Sequence, residues 1–476
     1  MKSIYKLKYV LGAFLLAGTA GCTEVVDGLT PEDDLAPSVV FSDPVSAESV
    51  LIGAYSNLTE GAYDVTVHIA ELQTNNIRFG GSFTTYQEIR DGIINSANGT
   101  FATWFNEYYQ LINRANLVIE NLPSTPGLSP DQLAEWTAEA RFLRAVAHFE
   151  LLKLFGDRAL LGSTSDANLG VPIITTSFQD GFSGPQLLPA RSSNGDVWDF
   201  VISELTAARA DLPVAVSTRA TQGAADAFLA RAYLYRRQYA NAATSANNVI
   251  SSGAYALGGT AATADYNTLN NSSVFTIYRD ANNNPGVNSA VVSFFRPTPG
   301  RGDMVVDTLS LNALFGAGIR TTTDTRYQFP GLIDTIANRN RFSRKFVDAT
   351  SLTDFLPMVR YEDVVLMRAE ALQRQSGSPD AAAITLLNSV AAARQPGFTN
   401  LTTGDFATAQ AVIDRILLER RKEFLFEGIY RFDLVRTEQP LANFVNTSGI
   451  AQNLLTFPIP FTALDQNPNL VQNPGY

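Results

Sequence analysis

The sequence predicts a mostly α-helical protein, with tetratricopeptide-like helical hairpins in one large domain interrupted by an irregular, partly β insertion. Three observations lead there. Apolar residues recur at helical spacing over most of the chain. Two pairs of short helices share a twelve-residue spacing of small residues, and residues 253–355 replace that periodicity with glycine, asparagine and short strand-like pieces. Composition agrees, since 476 residues that are 45% hydrophobic and 17% charged can bury one large core or two of ordinary size.

At the N-terminus, Lys2, Lys6 and Lys8 precede the apolar run Tyr9–Ala20. About a dozen residues are too few to span a hydrocarbon core of roughly 30 Å. The run ends at Thr19-Ala20-Gly21-Cys22, small residues leading into the sole cysteine. This pattern looks like a bacterial lipoprotein signal, with residues 1–21 removed and Cys22 lipidated as a membrane anchor. Several acyl chains give stable anchoring, because each buried CH₂ contributes about 0.8 kcal/mol. Residues 22–42, rich in Asp, Glu and Pro, read as a tether, and 43–476 as the folded body.

Within the body, Trp104, Tyr108, Leu111, Ala115, Val118 and Leu122 define one helix face. Leu133, Trp136, Ala140, Leu143, Ala147, Leu151 and Leu154 define another over Pro130–Phe155, a helix also apolar on its second face through Phe142, Val146 and Phe149. Asp196–Leu212 is a third helix, stopped by Pro213. Ala225–Arg236 and Tyr239–Ile250 match much of a tetratricopeptide hairpin, with small residues at Ala230 and Ala242. Tyr361–Gln375 and Pro379–Ala393 form a second pair, with Ala369 and Ala381 in the matching places. Two such units are too few for a free-standing solenoid, so they must pack on the other helices. The insertion offers strand-like pieces at Val274–Arg279, Val291–Arg296 and Arg344–Val347, and residues 62–98 read as a second irregular region. Long irregular segments inside a helical protein are places for function.

The composition excludes several function classes. Lys and Arg number 35 against 46 Asp and Glu, a formal charge of −11, which argues against a nucleic-acid partner. One cysteine allows no internal disulfide and no Cys-rich zinc site, and His68 and His148 are the only histidines. No metal or other cofactor is implied. Glu419, Glu423 and Glu427 stand four apart on one helix face, but the interleaved Arg415, Arg420, Arg421 and Lys422 point to ion pairs rather than to catalytic carboxylates. Asp280–Gly286 begins like a calcium loop, yet its glycine falls one position late and Val291 stands where glutamate is needed.

Motifs spread along the chain carry a family resemblance. They are Ile112-Asn113-Arg114-Ala115-Asn116 after Trp104, Ala138–Ala145 continuing to Leu154-Phe155-Gly156-Asp157, Leu229–Tyr235, Arg360–Ala371, Glu419–Gly428 with Arg431-Phe432-Asp433-Leu434, and the C-terminal Phe457-Pro458-Ile459-Pro460 and Asn467–Tyr476. In this order they resemble the SusD/RagB family of outer-membrane lipoproteins. Departures are small: His148 replaces a usual aromatic, and Val435-Arg436-Thr437 stands where Arg-Trp is common. The resemblance implies a surface-exposed binding protein, not an enzyme, that captures oligosaccharides or peptides for a SusC-like TonB-dependent outer-membrane transporter. Two other readings stay open: a cell-surface scaffold that binds protein through its helical hairpins, and a glycan hydrolase.

Sugar capture needs aromatic faces with amide or charged groups around them. The three tryptophans lie on helices that read as framework. The resemblance directs attention to the segment after the first helix, where Asn75 and Arg78 are the best carry-overs, with Tyr86 close behind. From the insertion, Tyr278, Arg296 and Tyr327 complete the candidate ligand surface.

Overall fold

The computed structural model describes residues 37–178, 188–258, 268–316, 323–328, 332–334, 341–343, 345–440 and 455–476. The signal segment, Cys22 and most of the expected tether lie outside them. Helices α1 (Pro37–Val40), α2 (Pro44–Asn57) and α3 (Tyr63–Leu72) open the body, with a π turn at Leu58–Ala62 joining the last two. Strand β1 (Ile77–Phe79) and helix α4 (Thr84–Arg90) follow, then α5 (Gly99–Asn121), α6 (Pro130–Phe155), α7 (Asn194–Asp211), α8 (Gln222–Tyr235) and α9 (Tyr239–Ser251). The insertion holds β2 (Ser273–Ile277), α10 (Val291–Phe295), β3 (Met304–Val306), α11 (Thr308–Phe315), α12 (Thr325–Gln328), β4 (Leu332–Asp334) and β5 (Arg341–Ser343). Strand β6 (Leu356–Arg360) leads directly into α13 (Tyr361–Gln375), followed by α14 (Ala381–Arg394), α15 (Ala409–Glu423), α16 (Tyr430–Arg436) and α17 (Phe461–Gln466).

Helix boundaries follow local chemistry. Ser129 and Gln132 form a capping box at the start of α6, with Pro130 at its first position, where the missing N–H costs nothing. Ser193 caps α7, Thr221 caps α8 and Asp380 caps α14, each accepting a backbone N–H from the first turn. Because α6 is apolar on two faces, it sits between α5 and α7. From there the hairpins stack in sequence, α7 on α8, α8 on α9, α9 on α13, and α13 on both α14 and α15. Ala230, Ala242, Ala246 and Ala369 are buried where these helices cross, which lets the backbones approach. All three tryptophans are buried in this framework.

Three expectations change. Residues 62–98 are not mainly irregular, because α3 and α4 occupy much of the segment. The α3 face is apolar through Tyr63, Val67, Ile69 and Leu72, but polar residues such as Asp64, His68 and Glu71 are buried beside them and blur the pattern. Val291–Arg296 contains a helical turn rather than a strand, since Val291–Phe295 is buried on every side and the Asp64 carboxylate accepts the Val291 N–H at 2.8 Å. The third short strand is Arg341–Ser343, just before the expected Arg344–Val347, whose first residue lies outside the described set. The Val274–Arg279 expectation corresponds to β2.

Among the described residues the strands make three two-stranded antiparallel sheets, β1–β3, β2–β6 and β4–β5. Buried charges bind the insertion to the C-terminal helices. Arg326 pairs with Glu419 at 2.7 Å and Glu423 at 3.1 Å, and Lys345 with Glu427, while Arg360 at the end of β6 joins Glu423 at 3.1 Å. On the other side Gly428, at φ 73°, donates its N–H to Glu71 at 3.0 Å. A Cβ there would lie 2.7 Å from the Val67 backbone, so glycine alone allows α3 and the segment after α15 to meet.

Candidate functional site

A cleft of about 220 Å³ opens where the C-terminal half of α2, the π turn, β2 and the segment before α8 converge. Its most conspicuous wall is Tyr278, which lies one residue past β2 and is 43% exposed. Phe355 meets its ring in a tilted contact at 5.0 Å between centroids, and Thr59 Oγ1 donates to the Tyr278 carbonyl at 3.3 Å. Next to it, Asp280 Oδ1 accepts the backbone N–H groups of Asn282 at 2.8 Å and Asn283 at 2.9 Å. This Asx-type closure explains the run of asparagines and turns Asn283 into the cleft.

Strand β2 reaches the cleft through an irregular register. Thr276 stands opposite Pro357, which has no N–H to give, and the pairing shifts on both sides of Phe275. Opposite β2, Tyr55 and Arg219 are tied to one buried carboxylate. Glu139 Oε2 accepts the Tyr55 hydroxyl at 2.6 Å and Arg219 Nε at 2.7 Å, while Arg219 Nη1 donates to Glu48 at 2.6 Å. The Ala220 N–H donates back to the Tyr55 oxygen at 2.9 Å. Burial raises the Glu139 carboxyl pKa, against the opposing pull of Arg219. Burial and the neighbouring Glu139 charge raise the Tyr55 hydroxyl well above its ordinary value. The cleft is thus a partly exposed aromatic with hydroxyl, amide and guanidinium groups around it.

The six residues expected from sequence do not form one surface. Tyr278 belongs to the cleft. Asn75 and Arg78 lie past the other end of α3, whose ten residues span about 15 Å. There Asn75 accepts Arg421 Nη2 at 2.7 Å, and the same guanidinium nitrogen reaches Asn76 at 3.0 Å and Ser310 at 3.0 Å while Arg421 stacks on Tyr430. Arg78 projects into solvent, 3.8 Å from the Asp307 carboxylate. Tyr327 is 3% exposed and donates to Asn312 at 2.6 Å, on the same α11 that carries Ser310. Tyr86 is 6% exposed and packs among His68, Phe79, Phe83 and Phe294. Its hydroxyl meets His68 Nδ1 at 3.1 Å. Tyr86 and Tyr327 are therefore corrected to packing residues, because aromatic area beside other rings is worth more buried than exposed. Arg296 is half-buried at the end of α10.

Reading the sequence missed Tyr55, Thr59, Arg219, Thr276 and Asn283. The Asn-rich turn was a usable signal for Asn283. The others had none, because Tyr55 and Arg219 are brought together across 164 residues of chain by Glu139.

The two histidines and the three spaced glutamates are buried or paired in the framework. Burial pushes His68 down to about 3 and His148 to about 4, so both rings are neutral at physiological pH. Glu419, Glu423 and Glu427 are each paired to buried cations. No group of three or more His, Cys, Asp or Glu able to hold a metal occurs among the described residues.

Residues 31–234 match the family described as "Starch-binding associating with outer membrane", and residues 338–455 match the "SusD family". The chain belongs to the SusD/RagB family. A SusD-like protein of Formosa agariphila is 26% identical across the whole of both chains. A SusD superfamily protein of Bacteroides thetaiotaomicron has the same fold, with a TM-score of 0.77 at 23% identity over 90% of this chain and 99% of the other. A "Laminarin binding SusD-like protein" superimposes with a TM-score of 0.73 at 22% identity, covering 91% and 100%. The stacked helical hairpins fit this SusD-like fold.

Proposed function

We propose that this SusD-like protein is a non-enzymatic capture protein, which binds oligosaccharides at the outer membrane and passes them to a SusC-like TonB-dependent transporter. The observation that carries the reading is Tyr278: a partly exposed aromatic in tilted contact with Phe355, beside a cleft with Asn283, Arg219 and Thr276 in its walls. Sugar rings stack on such faces while their hydroxyls take the surrounding hydrogen bonds. Family membership and the laminarin-binding neighbour support a glycan over a peptide.

Calorimetry with purified mature protein and a panel of oligosaccharides tests this. Tyr278→Ala should weaken binding by about 1–3 kcal/mol, the scale of a lost stacking partner. Melting should hardly change, because the ring is already half in water. Loss of binding in Arg78→Ala but not in Tyr278→Ala would move the site to the β1–α11 side, and turnover of any bound glycan would replace capture with catalysis.

No helix among the described residues is long and apolar enough to cross a membrane. Membrane attachment is proposed to rest on Cys22. In the native host, Cys22→Ala should abolish acyl labelling and release the protein from the membrane fraction. Label retained in that variant would refute the anchor.

A further inference from the structure

A second groove, of about 260 Å³, lies between α15 and α16 and shares no lining residue with the Tyr278 cleft. Its walls are apolar through Leu417, Leu418 and Leu434, and Leu418 is 38% exposed. Arg421 and Tyr430 continue them, with the guanidinium carbon 4.2 Å from the centre of the Tyr430 ring. Two carboxylates also line the groove. Asp433 is already bound by Arg420 at 2.8 Å and Arg436 at 2.7 Å. Asp414 is exposed at the rim, about 10 Å from Arg421 along the helix, and accepts the Gln410 amide at 2.8 Å.

Arg421 differs from the other arginines packed around α15. Arg326, Arg360, Arg394, Arg420 and Arg436 each meet a carboxylate at 2.6 to 2.9 Å. Arg421 meets none among the described residues, because its Nε and Nη2 donate to Asn75, Asn76 and Ser310, all of them neutral acceptors. Glu71 reaches it only through Asn76, whose amide donates to that carboxylate at 3.1 Å. These bonds fix the guanidinium by one edge. Nη1 keeps two N–H groups with no partner among the described residues, and unlike Arg219 Nη2 it is not sealed from solvent. A cation held rigid, with a free donor edge and no counter-ion, suits an anion, and a planar carboxylate matches the guanidinium fork. The three leucines favour an apolar group beside that carboxylate.

We infer that this groove is a second binding site, which takes one carboxylate bearing a short apolar group. Arg421 Nη1 donates to the carboxylate and the leucines cover the apolar group, while Asp414 disfavours a second negative charge at the rim. A free acid and the end of a chain present the same chemistry. The site does not depend on the capture cleft, with which it shares no wall.

Calorimetry at low ionic strength on the mature protein tests this with four probes: N-acetyl-leucine, its neutral amide, glucuronic acid, and an acetylated hexapeptide of neutral residues ending in leucine with a free carboxylate. N-acetyl-leucine should bind, and the amide and glucuronic acid should bind at least about ten-fold more weakly, the first for want of charge and the second for want of an apolar group. A hexapeptide that binds more tightly than N-acetyl-leucine assigns the carboxylate to the end of a chain, and one that binds no more tightly assigns it to a free acid. Asn75→Asp should lose about ten-fold or more while melting little changed, because it gives an intact Arg421 the missing counter-ion. Arg421→Gln should lose the affinity as well. Equal binding of acid and amide, glucuronic acid binding as tightly as N-acetyl-leucine, unchanged affinity in Asn75→Asp, or no binding of either leucine carboxylate would overturn the inference and leave the capture reading untouched.

Discussion

Trp104→Ala should destabilise the folded protein by about 3–5 kcal/mol, the cost of truncating a large aromatic in a core. Trp104 is fully buried on α5. Its ring meets Phe155 at the end of α6 at 5.9 Å and Phe457 from the C-terminal segment at 5.8 Å. Its Nε1 donates to Thr66 Oγ1 on α3 at 3.0 Å, and Thr66 also meets the Tyr108 hydroxyl at 3.2 Å. One side chain therefore joins α3, α5, α6 and the C-terminal segment, and alanine would leave both a cavity and an altered buried hydrogen-bond chain. Chemical denaturation should show the midpoint falling sharply, with the remaining folded protein binding ligand normally. A folded, full-stability variant that loses only binding would make Trp104 a site residue.

Glu423→Ala should cost a similar amount, about 3–5 kcal/mol, for an electrostatic reason. Glu423, the last residue of α15, faces Arg360 at 3.1 Å, Arg394 at 2.9 Å and Arg326 at 3.1 Å, all of them buried. Burial alone would raise its carboxyl pKa, but the three guanidiniums outweigh burial and hold it well below the usual carboxylate range. Removing it leaves cations in the interior with less compensation, and it unfastens the insertion from the C-terminal helices. The pH dependence follows from the depressed value. The stabilisation is complete above the unfolded carboxylate pKa of about 4.3 and is lost as pH falls through the lower folded value. Urea midpoints measured from pH 7 down to pH 3 should fall in the native protein and fall less steeply in Glu423→Gln. Parallel slopes would remove Glu423 from the acid response.

The fold was legible because helical hairpins repeat on a short period. The helix at Pro130–Phe155 could be read to its ends from its apolar faces, and Tyr361–Gln375 from its place in the second helical hairpin. The ion-pair reading of Glu419, Glu423 and Glu427 holds in kind but not in partners. Only Glu419 pairs one helical turn away, with Arg415 at 2.6 Å. Glu423 takes Arg326, Arg360 and Arg394, and Glu427, past the helix end, takes Lys345 and Arg360. By contrast, α3 was hidden because its buried polar residues are satisfied by distant partners: Asp64 by Arg279, and Glu71 by Gly428. A local pattern cannot register those partners.

What the sequence by itself determined is the helical framework, the buried tryptophans and the family, all of which depend on periodicity and on ordered short motifs. Only the tertiary structure decided which aromatics are exposed. Tyr86, Tyr278 and Tyr327 occupy similar polar, glycine-containing surroundings in the chain, yet two are enclosed by rings or an asparagine and the third faces solvent. Tertiary structure alone also set Tyr55, Arg219 and Thr276 around one cleft, because that meeting depends on Glu139 and on the irregular pairing of β2 with β6. Exposure and convergence are properties of packing between segments far apart in the chain, and no spacing within a segment encodes them.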